Sequence, residues 1–205
     1  MKLFHNIISF IFQPLLMPTL GISIFLFSIG KPVFTNPSTW LAIGSTFVFT
    51  ALLPAIPILM FMRRGYIKDL YISEREQRTL PYLFALLAYS FWTVFLLRVL
   101  QMPLFIVAMA IGATASIVII TLINFRWKIS AHLSGVGGLA GGIFSYCYVM
   151  GMNPVWLLIL TLVAVGLTAL SRLELKAHTP SQTLAGFVVG FLMVFVPGVV
   201  VGMKF

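Results

Sequence analysis

Charge is scarce in this chain. Only 8% of its 205 residues are Asp, Glu, Lys or Arg, against about a quarter in a soluble domain, and that shortage excludes a monomer at home in water. A single cysteine, Cys147, excludes a disulfide framework; it falls in an apolar stretch and reads as small filler. Polar and apolar residues do not alternate over segments of about ten, which excludes spanning β-strands. The first apolar run, Ile7 to Ile29, lacks a small-residue cleavage site and is too long for a signal peptide, so it is expected to be a retained span. No repeat of solenoid period is present. The Lys and Arg residues are spread over loops, as orientation and headgroup contact require, and nothing in them marks a nucleic-acid partner.

What is present is hydrocarbon: 60% of residues are hydrophobic and the mean hydropathy is +1.09. Apolar runs at about 7–29, 39–62, 81–100, 103–124, 133–151, 154–170 and 183–203 are each long enough to cross a core about 30 Å thick as a helix. The expected fold is all-α, a polytopic membrane helical bundle of six to seven transmembrane helices forming one domain over 1–205. Trp40, Trp92, Trp127 and Trp156 fall near the ends of these runs and read as interfacial anchors. The stretch Gly135–Gly142 is rich in small residues, which permits close helix contact and is expected to put the fifth span at the bundle centre.

Three loops hold most of the polarity, 63–80, 124–132 and 171–182. Two spans precede the first and two separate each successive pair, so parity places all three on one membrane face. Lys2, Arg63, Arg64, Lys68, Arg75, Arg78, Arg126, Lys128, Arg172 and Lys176 then share that face, against Lys31, Arg98 and Lys204 on the other. By the positive-inside rule the polar face is expected to be cytoplasmic, in a cell (inner) membrane.

In the first loop Lys68 and Arg75 are seven residues apart, so on a helix both point one way and an Arg fork with a Lys point charge would grip a phosphate. The alternative is a solvated cluster touching lipid headgroups. In the second, Ser130 and His132 stand where a helix begins, beside unpaired amides and a favourable dipole that attract an anion; Ser130 is equally explained as an N-cap. In the third, Ser171, Arg172 and His178 precede Thr179-Pro180, an N-cap with proline at the first helical position, and Gln182 would complete a capping box. Two histidines, several cations and helix starts on one face are the parts that nucleophilic phosphoryl transfer without metal or cofactor requires.

These residues resemble the type 2 phosphatidic acid phosphatase superfamily, whose pattern is Lys-x6-Arg-Pro, then Pro-Ser-Gly-His, then Ser-Arg-x5-His-x3-Asp. Here Lys68 and Arg75 keep the first spacing, with Glu76 in place of proline; Ser130 and His132 keep the second; Ser171, Arg172 and His178 keep the third, with Gln182 where the aspartate stands. The resemblance covers about 60–203. It implies that His178 attacks phosphorus to form a phosphohistidine, that His132 protonates the leaving lipid alkoxide, and that Lys68, Arg75, Ser130, Ser171 and Arg172 hold phosphate oxygens. Arg78 and Lys128 are further grip candidates outside the pattern. The implied substrate is a membrane lipid phosphomonoester or diphosphate, such as phosphatidic acid, phosphatidylglycerophosphate or a polyprenyl diphosphate. Gln182 accepts the hydrogen bond an aspartate would accept but supplies no charge. The same cationic cup would serve a non-catalytic lipid-phosphate binder or carrier, or a transferase to an acceptor other than water.

Overall fold

The computed structural model describes residues 2–28, 37–69, 72 and 74–204, and the described residues form helices and their connections, without a strand. The first apolar run is two helices rather than one. α1 (Lys2–Ile11) stops short of Gln13, whose extended backbone (φ −61°, ψ 128°) turns the chain; a 3₁₀ turn at Pro14–Leu16 then leads into α2 (Met17–Ser28). The break has a sequence cause, because proline pushes the residue before it out of the helical region and has no amide to donate. The end of this run at Ile29, and Lys31 after it, lie outside the described residues.

The second run is α3 (Pro37–Phe47), a π turn at Val48–Leu52 and α4 (Leu53–Arg63). Pro54 cannot return a hydrogen bond to the preceding turn, and a widened turn absorbs that loss. Then follow α5 (Thr79–Arg98), α6 (Leu104–Asn124), α7 (Ala131–Val149), α8 (Val155–Glu174) and α9 (Pro180–Gly202). Six segments, Lys2–Ser28, Pro37–Arg63, Glu76–Arg98, Leu104–Asn124, Val155–Glu174 and Pro180–Gly202, are long and apolar enough to cross a bilayer. The protein is an integral membrane helical bundle.

α7 is the exception in composition, and its position explains why. It packs against α2, α6, α8 and α9, and most of its residues are buried. A helix wrapped by other helices meets little lipid, so it tolerates the serines and glycines that a lipid-facing helix would not gain from. Its glycines let α9 approach backbone to backbone. A Cβ at Gly137 or Gly141 would strike the carbonyl of Phe187 or Phe191, and one at Gly186 or Gly190 of α9 would strike the carbonyl of Ser130 or Ser134. Trp92 departs from the anchoring expectation: it is 3% exposed inside α5 and donates Nε1–H to Thr46 Oγ1 at 3.0 Å.

The three polar loops meet at one end of the bundle, as parity requires. Asn124 Nδ2 donates to the Arg75 carbonyl at 3.0 Å, Arg78 Nη1 to that of Ile129 at 3.0 Å, and the Ser130 amide to that of Gln182 at 3.2 Å. α1 lies at this end too, against α8. Gly190→Ala is expected to destabilise the protein by about 1–3 kcal/mol, the usual cost of overpacking, read as a lower midpoint of thermal unfolding in detergent. Gly166→Ala, whose added Cβ meets nothing within 4 Å, is expected to match or exceed the wild type.

Candidate functional site

The site is assembled from helix ends. α8 closes in a Schellman motif: the Ala177 amide donates to Arg172 O at 3.1 Å and the Lys176 amide to Leu173 O at 2.9 Å, with Lys176 in the left-handed region (φ 51°). That reversal drops His178 just outside α9. α9 then begins with the anticipated capping box. The Thr179 hydroxyl accepts from the Gln182 amide at 3.4 Å, and Gln182 Oε1 accepts from the Thr179 amide at 3.2 Å.

Gln182 does a second thing. Its Oε1 lies 3.1 Å from His178 Nδ1. A backbone amide only donates, so the amide atom facing Thr179 N is the oxygen, and His178 Nδ1 must then carry the proton. Nε2 is left with its lone pair. The Gln182 side chain therefore caps the helix and sets the tautomer that a histidine nucleophile needs.

His178 and His132 line one cavity of about 70 Å³ together with Arg78, Gln13, Ile72 and Tyr82. Arg78 is 3% exposed, and its Nε and Nη1 donate to the carbonyls of Ile72 at 2.8 Å and Ile129 at 3.0 Å. No carboxylate pairs with it among the described residues. Burial, and after it the Arg78 guanidinium, push the His178 imidazole down to about 3; Arg172 and Lys128 act in the same direction and the bond to Gln182 opposes them. Lys128 is half-buried and its ammonium is also pushed down, by burial and then by Arg78 and Arg172. Arg78 lines the cavity, and Arg172 and Lys128 lie close enough for the cations to disfavour one another. Among the described residues, no group of three His, Cys, Asp or Glu side chains is placed to hold a metal ion.

Ser130, fully buried, caps α7 by accepting from the Leu133 amide at 3.4 Å, so the plain N-cap explanation accounts for its hydroxyl. Ser171 and Arg172 are buried at the end of α8, and both are held by α1. His5 Nδ1 lies 3.2 Å from Ser171 Oγ, and Arg172 Nη1 donates to Ser9 Oγ at 3.2 Å. His132 Nε2 lies 3.2 Å from the Ser9 carbonyl, which can only accept, so His132 carries a proton there and gives it to α1. His5 and Ser9 were not anticipated from the sequence. The one available signal was their four-residue spacing, which puts both on one helix face.

The first motif does not form as expected. Residues 64–75 are not helical where described: Gly65 (φ 76°) ends α4 and Ile72 (φ 47°) turns the loop, so Lys68 and Arg75 do not align. Lys68 is exposed and its ammonium pairs with Glu74, 2.6 Å away, which raises its pKa. Arg75 bridges Glu76 at 3.1 Å and the Phe125 carbonyl at 3.0 Å, tying two loops together outside the cavity. Arg78, three residues on, is the arginine that enters.

The chain matches no protein-family model, no curated protein and no solved structure. The site stands on its own geometry.

Because folding lowers the pKa of His178 from an ordinary value near 6.5 to about 3, the folded protein binds fewer protons there. The stability this group confers is fully present above pH 6.5 and is lost as pH falls towards 3. The midpoint of thermal unfolding in detergent is expected to drop between pH 7 and pH 4, and to drop less in His178→Gln. Equal slopes for the two proteins would show that His178 is not held neutral.

Proposed function

We propose that this protein is a metal-independent phosphatase of a membrane lipid phosphate, with His178 as nucleophile. The observation that carries the reading is Arg78, a buried cation without an acidic partner among the described residues, in one cavity with two histidines of which one is preset for attack. A buried charge without a counter-ion is costly, and an anionic ligand supplies the counter-ion. The starts of α7 and α9 add their dipoles in the same sense.

In this reading the Nε2 lone pair of His178 attacks phosphorus, the N–P bond forms and the P–O bond to the lipid breaks. The departing alkoxide takes the proton on His132 Nε2; water then attacks phosphorus, returns a proton to His132 Nε2 as its O–P bond forms, and the N–P bond breaks to release phosphate and free His178. Arg78, Arg172 and Lys128 hold the equatorial oxygens, where charge builds in the transition state. Lys68 and Arg75 keep no role in it. Ser9 of α1 holds both the His132 proton and an Arg172 donor, so α1 withdraws before turnover. That same contact favours the second reading, a lipid-phosphate binder or carrier in which α1 closes over bound ligand and no bond is broken. We place the site on the cytoplasmic face of a cell membrane, on the excess of Lys and Arg at that end.

Purified protein is expected to release phosphate from lipid phosphates in EDTA and to trap an acid-labile phosphohistidine, with His178→Ala losing at least roughly 10³-fold in turnover. Release that survives in His178→Ala would remove it as nucleophile; binding without release from any lipid would establish the carrier.

A separate expectation concerns Gln182. Glutamate in its place keeps both hydrogen bonds and adds a charge beside the imidazolium-like transition state. A charged acceptor is worth about 1–1.5 kcal/mol more than a neutral one, so Gln182→Glu is expected to raise kcat about tenfold. Gln182→Leu, which frees the tautomer, is expected to lower it.

A further inference from the structure

A second cavity, of about 140 Å³, lies between α2, α5, α6 and α7. It runs along α7 from Ala131 to Gly142, eleven residues or about 16 Å at 1.5 Å per residue. Its walls are apolar, with Phe25, Trp92, Met109 and Ala113 among them. The two cavities share Pro14, Leu15, Tyr82, Ala85 and Ala131, so the apolar slot begins where the cationic cup ends. Tyr82 stands at that seam, its hydroxyl buried and its proton without an acceptor, beside the Arg78 guanidinium, which can only donate. A buried hydroxyl left unpaired costs free energy. Here it lines both the cationic cavity and the apolar one.

We infer that the slot takes the hydrocarbon chain next to the phosphate of a single-chain lipid phosphate, such as a polyprenyl or alkyl phosphate, with Tyr82 donating to the oxygen that joins chain to phosphorus. This rests on the phosphatase reading for the cup and adds the substrate class. One chain is set by size: a dry apolar cavity of about 150 Å³ accommodates a benzene ring, so this one admits about six carbons of one chain, and the rest continues into the bilayer. Two acyl chains branching from a glycerol do not fit side by side in a slot of that volume drawn out over 16 Å. On the α7 wall an added Cβ at Gly142 would come within 3.3 Å of Phe25 and 3.9 Å of Met109, both of which line the slot, so glycine there keeps that stretch open.

Trp92 provides a readout independent of turnover. Trp40, Trp127 and Trp156 are exposed and can be changed to Phe, leaving Trp92 as the sole indole. In detergent, a single-chain alkyl phosphate brominated in mid-chain is expected to quench Trp92 saturably, and a phosphatidic acid brominated in both chains is not. Ala113→Phe, which fills the slot, is expected to abolish the quenching and to lower turnover of the single-chain lipid, relative to a short water-soluble phosphate ester, by roughly tenfold or more. If Ala113→Phe does not fold, Gly21→Leu fills the slot from α2, where an added Cβ sits in ordinary contact at 3.5 Å from Leu139. Equal quenching by both lipids, or turnover without quenching, would overturn the single-chain slot while leaving the phosphate cup intact. Saturable quenching with no release from any phosphate ester would keep the slot and overturn the phosphatase.

Discussion

The close approach of α7 and α9 is the constraint on which everything else here depends. Where the Ser130 carbonyl presses on Gly186 and the Ser130 amide bonds to Gln182 O, two helix starts are locked at one depth. His132, two residues into the first structure, and His178, just before the second, then face a common cavity. Neither helix could supply both. The same lock points two helix dipoles at a volume lined by Arg78, with Arg172 and Lys128 near enough to act on His178, and like charges so placed destabilise one another. The bundle tolerates this because the glycine contacts and the apolar core around Leu96, Val136 and Ile143 hold the helices independently of the site. On the proposed reading, what the site loses in stability would return as affinity for an anion.

α1 links that cavity to the surface of the bundle. One face of the helix sends His5 and Ser9 inward to Ser171, Arg172 and His132, while Leu3, Phe4 and Phe10 are exposed on the other. An amphipathic helix with a large apolar face prefers the boundary of a bilayer. The kink at Gln13-Pro14 turns it away from α2, and it is held to the bundle by packing along α8, by buried Ile8 and by the polar bonds at the site itself. Those bonds use the groups that a phosphate would use. Closure by α1 and occupancy by an anion are thus alternatives for the same donors.

Much of this was legible in the sequence, for identifiable reasons. Apolar run length and proline placement located the later helices to within a few residues, because a segment without strand alternation satisfies its backbone in hydrocarbon only as a helix. Parity brought the three loops to one end, and Thr179-Pro180 with Gln182 announced the start of α9. The first loop failed because spacing was converted to direction on the assumption of a helix, and Gly65 had already ended it. Arg75 and Arg78 carry the same charge three residues apart, and only the fold decides which one turns inward. His5 and Ser9 were illegible for a different reason: the Ile7–Ile29 run hid the break at Gln13 and made α1 look like the top of a span.

Gln182 draws these threads together. An aspartate or glutamate beside His178 would stabilise the developing imidazolium, but it would also place a negative charge within reach of Arg78 and neutralise part of the field that draws an anion in. The amide avoids that. It fixes the tautomer through Thr179, which is where the replacement of a catalytic carboxylate by an amide usually fails, and it leaves the cationic cup at full strength. On the proposed phosphatase reading, the cost would fall on the chemical step and the gain on binding: such a site would hold a phosphate tightly first and turn it over, through His178, at a rate set by how much charge support it forgoes.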